Sequence, residues 1–431
     1  MSSASRKREY FHSFLLHFRP KMVPERTLRL SLTWGLGGTA MVLVFLLFGT
    51  GLMLKFVYEP TPGGAYDSIL YLQDSVPFGQ LLRNIHRWSA NGLVLVAFLH
   101  FLRIFYTGAF TAPRHVNWMI GLLLFAAVLF SSFTGYLLPW DQIAYWAITI
   151  STSMLDYLPF VGTGIKQWIL GGPEPGPATL LTFYAIHTAI LPVLLLFALP
   201  FHFWRIRKAN GLVIPRRPDE DPAERGALVE AMPHLFIREV TMAVVAVAAV
   251  LLVSMFFNAP LAEQANPGLS PNPTKAPWYF MGLQEMLMHF HPVFALLVIP
   301  VLLLAGLAII PFVHYEAETS GVWFCSRKGR ITALIAALVA VVVTVAGVLL
   351  DEFVFKDKLT GSAGMINKGL LPFAVILAGC AAFYLLMKKG FKANNNEAIQ
   401  ALFTLLATAF VVLTLIGIWF RGTGMQLMWA G

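Results

Sequence analysis

Nine apolar blocks divide this chain, running approximately over 31–57, 85–105, 117–138, 180–204, 240–258, 293–313, 331–350, 370–387 and 399–420. Each is long enough to cross a hydrocarbon core of ~30 Å as a helix. Within that core every backbone N–H and C=O must find its partner inside the segment, which a helix provides. Of the 431 residues, 57% are hydrophobic and only 12% charged. The apolar residues also cluster in blocks rather than at amphipathic spacing. The fold class expected is therefore all-α and integral to a membrane. The first 29 residues are basic and polar and lack the apolar run of a cleavable signal.

The cations orient the helices. The arm at 1–29 holds Arg6, Lys7, Arg8, Arg19, Lys21, Arg26 and Arg29. After even numbers of crossings come Arg103 and Arg114, then Arg205, Arg207, Lys208, Arg216 and Arg217, and later Arg327, Lys328, Arg330, Lys388, Lys389 and Lys392. The opposite loops carry Glu59, Asp67, Asp74, Asp141, Asp156 and Glu174. A cytoplasmic N-terminus and, after nine crossings, an external C-terminus follow. The net charge of +9 then reflects topology, and nucleic acid is not an expected partner.

Four histidines carry the chemistry. His86 and His100 lie fourteen residues apart in one block, His187 and His202 fifteen apart in another. At 100° per residue each pair shares a helix face to within ~60°, about 21 Å apart along the axis. Two such helices side by side offer two bis-histidine sites at different depths, and imidazole is a common axial ligand of haem iron. Gly37 and Gly51 in the first block, and Gly121 and Gly135 in the third, repeat the fourteen-residue interval. A flat macrocycle needs backbone close by, and glycine permits that approach. Single glycines in membrane helices often serve packing alone, but four at matched depths with four histidines describe a four-helix bundle with two slots. The chain direction places His86, His187, Gly51 and Gly135 near the outer face, and His100, His202, Gly37 and Gly121 near the cytoplasmic face. Arg83 and Arg87 outside, and Arg114 with Arg103 inside, are placed to meet anionic propionates, for which the guanidinium fork is suited. Cys325 and Cys380 are far apart and no C-x-x-C-H occurs. Covalent haem and an iron–sulfur cluster on this chain are therefore not expected.

At NIHRWSANG, GYLLPWDQIAYWA (Gly135–Ala147), FYAIHTAILP and FHFWRIRK, the sequence resembles cytochrome b of the Rieske/cytochrome b complexes, the bc1 and b6f type. The likeness is close over about 25–210. The fifteen-residue histidine interval and PWDQ resemble the chloroplast-type branch, and 240–330 resembles that branch's companion subunit fused to the first part. The resemblance implies two non-covalent b haems carrying electrons between an outer quinol site and an inner quinone site. It also implies a Rieske-type iron–sulfur protein, c-type cytochrome subunits and a homodimeric complex in a bacterial inner membrane.

The departures from the family are specific. Gly35 stands where chloroplast-type proteins anchor a third haem through cysteine, and Thr182 where they have an arginine. The family's Pro-Glu-Trp-Tyr motif is here Ala276-Pro277-Trp278-Tyr279, with Pro277 in place of the carboxylate. Quinol oxidation releases protons and needs an acceptor. Glu285 is the candidate of choice, with His289, His291 and Asp141 behind it and Tyr279 at the reacting centre. Tyr136, Trp140, Pro277, Trp278 and Tyr279 are expected to line the outer quinone pocket, although aromatics at this depth also form interfacial belts. Arg207 and Lys208, with Asp219, Asp221, His12 or His17, are candidates for the inner one. The altered motif makes menaquinone the candidate quinone.

The organisation expected is a basic arm (1–29), a dihaem bundle (30–206) with an external surface segment (139–178), a cytoplasmic linker (207–239), companion-subunit-like helices with the quinol-site loop (240–350), and two extra helices (351–431). Two rivals stand beside this reading. One is a haem b anchor of a quinone-linked dehydrogenase without bifurcation, which would need only the haem helices. The other is a proton-coupled transporter, which would purify colourless.

Overall fold

The computed structural model of the chain describes residues 21–215, 226–316, 320–355 and 364–428. Among them, nine helices are long and apolar enough to cross a membrane, and the protein is an all-α integral membrane protein. The first four are α1 (Leu36–Leu54), α3 (Gly79–Tyr106), α4 (His115–Leu137) and α7 (Pro177–Lys208). A short helix α2 (Ala65–Asp74) lies between α1 and α3, and α5 (Gln142–Ser153) and α6 (Gly162–Leu170) lie between α4 and α7. The second part comprises α8 (Ala231–Phe256), the short α9 (Met281–His289), α10 (Phe294–Phe312), α11 (Arg327–Phe355), α12 (Ile366–Gly390) and α13 (Asn395–Trp419).

The first apolar block is not one helix. A turn at Leu30–Thr33 ends where Trp34 and Gly35 both adopt the left-handed conformation, at φ of 52° and 63°, and α1 begins after it. Only glycine visits that region without strain. α8 reaches back to Ala231, before its apolar block, with Met232 outside helical geometry at φ −104° and ψ 122°, and just ahead of it Leu228–Glu230 pairs antiparallel with Met22–Pro24. The expected candidates His12, His17, Asp219 and Asp221 lie outside the described residues.

α7 departs from the α-helix at Ile186–Ile190, which forms a π-turn around His187. Pro192, two residues on, has no N–H to give, so the regular ladder cannot continue through that point. The same pairing recurs at Phe294–Val298 before Pro300 and at Ile366–Leu370 before Pro372. A π-turn accommodates one extra residue. It absorbs the difference between the fifteen-residue interval of His187 and His202 and the fourteen of His86 and His100.

α1 packs on α3, α3 on α4, and α4 on α7, while α8 lies against α1 and α3. The centre of this group is a cluster of Leu43, Val44, Leu93, Val94, Val128 and Val250. A second cluster, with Phe105, Tyr106, Trp118 and Ile310 buried and Phe403 against them, ties α3 and α4 to α10 and α13. The Tyr106 hydroxyl lies 2.9 Å from that of Thr404. In the second part α11 and α13 pack along each other and α9 lies against α13.

Candidate haem-binding bundle

The imidazoles of His86 on α3 and His187 on α7 face each other with ring centroids 6.3 Å apart, at 77° between planes. Two imidazoles sharing one iron have this separation. Each metal–nitrogen bond takes roughly 2 Å, with roughly 1 Å more from nitrogen to ring centre. A methyl group added to Gly51 would lie 3.2 Å from Cε1 of His86, and one added to Gly135 only 2.5 Å from Cε1 of His187. Absence of a side chain there lets α1 and α4 approach the rings.

Thr50 and Thr134, each one residue before its glycine, orient this pair. The Thr50 hydroxyl donates to the Leu46 carbonyl at 2.6 Å and lies 2.9 Å from Nδ1 of His86. The Thr134 hydroxyl donates to the Phe130 carbonyl and lies 3.1 Å from Nδ1 of His187. A hydroxyl has one proton, so toward each ring it accepts, and Nδ1 is the N–H nitrogen. Nε2 is left with its lone pair for a metal.

His100 and His202 line one cavity, beside Gly37 and Gly121, where added methyl groups would lie 3.3 and 3.8 Å from Cε1 of the respective ring. Both Nδ1 atoms are buried without a hydrogen-bond partner. The two rings, with Arg103 and Arg114, line a cavity of about 1930 Å³, beyond the ~300–1,000 Å³ of ordinary ligand pockets. Arg103 is buried, donating from Nε to the Leu32 carbonyl at 2.7 Å, and its Nη2 has no partner. An unpaired buried guanidinium nitrogen beside such a cavity suits a ligand carboxylate. Imidazoles whose Nδ1 atoms are engaged by threonines at His86 and His187, glycine-lined approaches and a waiting guanidinium together suit haem b.

The remaining cations differ from expectation. Arg83 spans Gln73 Oε1 at 2.9 Å and the carbonyls of Ala259 and Pro260 at 2.7 and 2.6 Å. It fastens the segment after α8 to α3, so its expected propionate role is corrected. Arg87 stacks over the Tyr136 ring at 5.2 Å. Arg114 donates to the carbonyls of Ala209 and Gly211 at the end of α7 and still borders the cavity. Arg207 lines the cavity, whereas Lys208 lies over the Trp204 ring at 5.1 Å. That places the Lys208 ammonium on an exposed aromatic instead of at a quinone.

Around the altered motif, Pro277 precedes a turn at Trp278–Phe280 that leads into α9. The Trp278 indole donates to Asn91 of α3 at 2.8 Å, Phe280 meets Phe133 of α4 edge to face, and Tyr279 packs against the central cluster. Burial pushes the Tyr279 phenol well above its ordinary range, with Arg87 opposing and Tyr136 adding to the effect. Tyr136, Arg87, Trp278 and Tyr279 are thereby gathered at one end of the first histidine pair.

Four other expected residues are otherwise engaged. Trp140 is buried against Tyr145 and Leu180, so it is core rather than pocket lining. Asp141 caps α5 through the Ala144 amide at 2.8 Å and accepts the Ala262 amide at 2.9 Å. With an amide on each oxygen, it is a structural cap and not a free proton acceptor. Glu285, fully buried, accepts three contacts from Arg421 and one from His289. It faces α13, so the structure corrects its assignment as proton acceptor for quinol. His291 sits edge-on to Tyr157.

Fold and site thus define a membrane protein whose four-helix bundle brings His86 and His187 face to face and sets His100 and His202 around one cavity. Residues 22–210 match the family model described as Cytochrome b/b6/petB. The cytochrome b6 of Acaryochloris marina is 42% identical over 173 residues, covering 40% of this chain and 80% of that protein. That of Synechococcus sp. (strain JA-3-3Ab) is 45% identical over 175 residues, again covering 40% and 80%. A solved structure titled "Hyperthermophilic respiratory Complex III" shares the fold across both parts, with a TM-score of 0.63 at 21% identity, covering 90% of this chain and 91% of that one. The chain belongs to the cytochrome b family. It is a cytochrome b subunit of a quinol-oxidising bc-type oxidoreductase.

Proposed function

We propose that this subunit holds two non-covalent b haems, one between His86 and His187 near the outer face and one between His100 and His202 near the cytoplasmic face. When bound, such haems supply one-electron transfer across the bilayer. The observation that carries the reading is the His86–His187 pair at 6.3 Å with both Nδ1 atoms held by threonines. Arg103 and Arg114 supply cations at the inner end.

Quinol binds at the outer end between Tyr136, Trp278 and Tyr279, with Asn91 fixing the indole and Arg87 the Tyr136 ring. Quinone binds at the inner end in the cavity bordered by Arg207 and Arg114. Gly35 speaks for the absence of a covalent third haem, since its φ is +63° and a Cβ there would lie 2.9 Å from Cε of Met242. The replaced motif favours menaquinone as substrate. A Rieske-type iron–sulfur protein and a c-type cytochrome complete the electron path, in a homodimeric complex of a bacterial inner membrane. The N-terminus lies on the cytoplasmic side and the C-terminus outside.

The test is a potentiometric titration of the reduced-minus-oxidised visible spectrum of the purified complex. Two b-type transitions are expected, with His86→Leu or His187→Leu removing one and His100→Leu or His202→Leu the other. A single transition that survives all four substitutions would sink the pairing.

A further inference from the structure

The last helix ends in a buried charge cluster that the electron path does not use. Arg421, 3% exposed, follows α13. Its Nε lies 3.1 Å from both carboxylate oxygens of Glu285, and its Nη2 lies 2.6 Å from Oε1. Its Nη1 donates to Glu352 at 2.9 Å and to the Met425 carbonyl at 3.1 Å. Glu285 is also 3.1 Å from Nε2 of His289, whose Nδ1 lies 2.7 Å from Asp351 on α11. A buried ion pair replaced by apolar residues often leaves stability unchanged or improved, so stability alone does not account for one here.

What the cluster grips is α9, whose first residue follows the Trp278–Phe280 turn. The two helices touch at near-minimal distance. A methyl group added to Gly282 would lie 2.6 Å from Oγ1 of Thr414, and one added to Gly417 2.5 Å from Cγ of Met281. The segment entering the turn is held from the same side. Lys275 donates to the Ile418 carbonyl at 2.8 Å, and Asn272 accepts the Gly424 amide. Within α9, Gln284 accepts the Ala276 amide at 2.7 Å and donates to the Thr274 carbonyl at 2.8 Å.

We propose that Arg421, delivered by the last helix, is a positioning residue for quinol oxidation: by clamping Glu285 it sets the placement of Trp278 and Tyr279. The last helix thereby has a task in the chemistry of a site to which it contributes no lining residue. The proposal rests on reading Trp278 and Tyr279 as the outer quinol pocket. Fixed placement of a binding group governs how much of its interaction reaches the transition state, and small displacements are costly.

The test is steady-state quinol oxidation by the intact complex carrying Arg421→Met, Arg421→Lys, Glu285→Gln, or Arg421→Met with Glu285→Gln. Arg421→Met is expected to lower kcat/KM for quinol about tenfold. Both b-haem spectra and midpoint potentials should stay at wild-type values. So should reduction of the haems by quinol through the inner site. Arg421→Lys restores part of the loss, and the double variant is no worse than the more impaired single one, because both remove one clamp.

Wild-type kcat/KM in an assembled Arg421→Met complex overturns the proposal. So does a Glu285→Gln variant with a displaced pH profile beside an unimpaired Arg421→Met, which returns Glu285 to proton transfer. If Arg421→Met does not assemble, Glu285→Gln decides, since it weakens the same clamp from its other partner. Unchanged kcat/KM there is equally fatal. A wild-type complex that shows no quinol-dependent haem reduction would instead bring down the functional reading, and this proposal with it.

Discussion

Thr50 and Thr134 give the two histidine pairs different surroundings. The first pair has hydroxyl acceptors on Nδ1, while the Nδ1 atoms of His100 and His202 have no partner among the described residues. A hydrogen bond from Nδ1–H makes the imidazole a more basic ligand and favours the oxidised metal. Thr50→Val is therefore expected to raise the midpoint potential of the outer haem by tens of millivolts, the scale of one ~1 kcal/mol hydrogen bond. The inner haem should not move, and potentiometry of the two transitions reads both. Glycine substitutions should be unequal in the same way. Gly135→Ala drives a methyl into His187 and is expected to abolish outer-haem incorporation, whereas Gly121→Ala meets His202 only at 3.8 Å and should retain both haems. Haem-to-protein ratios in the two variants measure this. The histidines and glycines were readable from spacing alone. Each threonine was readable as well, because the pair Thr-Gly occurs at both outer depths, though nothing in the spacing says which hydroxyl turns inward.

At the scale of elements, the charged clamp between α9, α11 and α13 has a pH window. Burial raises the Glu285 carboxyl, but hydrogen bonds from His289 and Arg421 outweigh it and hold the group below its ordinary 4.5. Its contribution is present above pH 4.5 and lost as pH falls through the depressed value. Burial lowers His289, but Asp351 and Glu285 outweigh it and lift the group above 6.5. That contribution is complete below pH 6.5 and lost as pH rises through the raised value. Thermal stability of the purified complex is expected to peak between about pH 4.5 and 6.5 and to fall on the alkaline side. His289→Gln should flatten the alkaline limb. None of this was legible in the chain, because Glu285 and Arg421 are far apart in sequence and no local pattern joins them. The membrane helices were legible because twenty apolar residues have one physical solution in lipid. The π-turn at Ile186–Ile190 was not: regular pitch gives no sign that the fifteen-residue interval of His187 and His202 would be made equivalent to the fourteen of the other pair.

For the whole molecule, the two parts are held together by more than the connection between them. The pairing of Met22–Pro24 with Leu228–Glu230, the packing of α8 on α1 and α3, and the aromatic cluster shared by α3, α4, α10 and α13 all cross the division. Producing the protein as two chains, cut between Pro215 and Gly226, is expected to give fragments that co-purify with both haems. Separation of the fragments, seen as haem only in the first, would refute this. The depth of the two histidine pairs has a further consequence, which is electrical. Fourteen residues of helix separate the pairs by roughly 21 Å within a core of ~30 Å. An electron passing from one pair to the other therefore traverses about two-thirds of the membrane voltage. A full crossing is worth about 2.3 kcal/mol per 100 mV, so this passage involves about 1.6 kcal/mol of work for each 100 mV. With haems bound as proposed, the two centres are then not independent of the field of an energised membrane: the voltage that such a protein helps to build would also pull back on its internal electron.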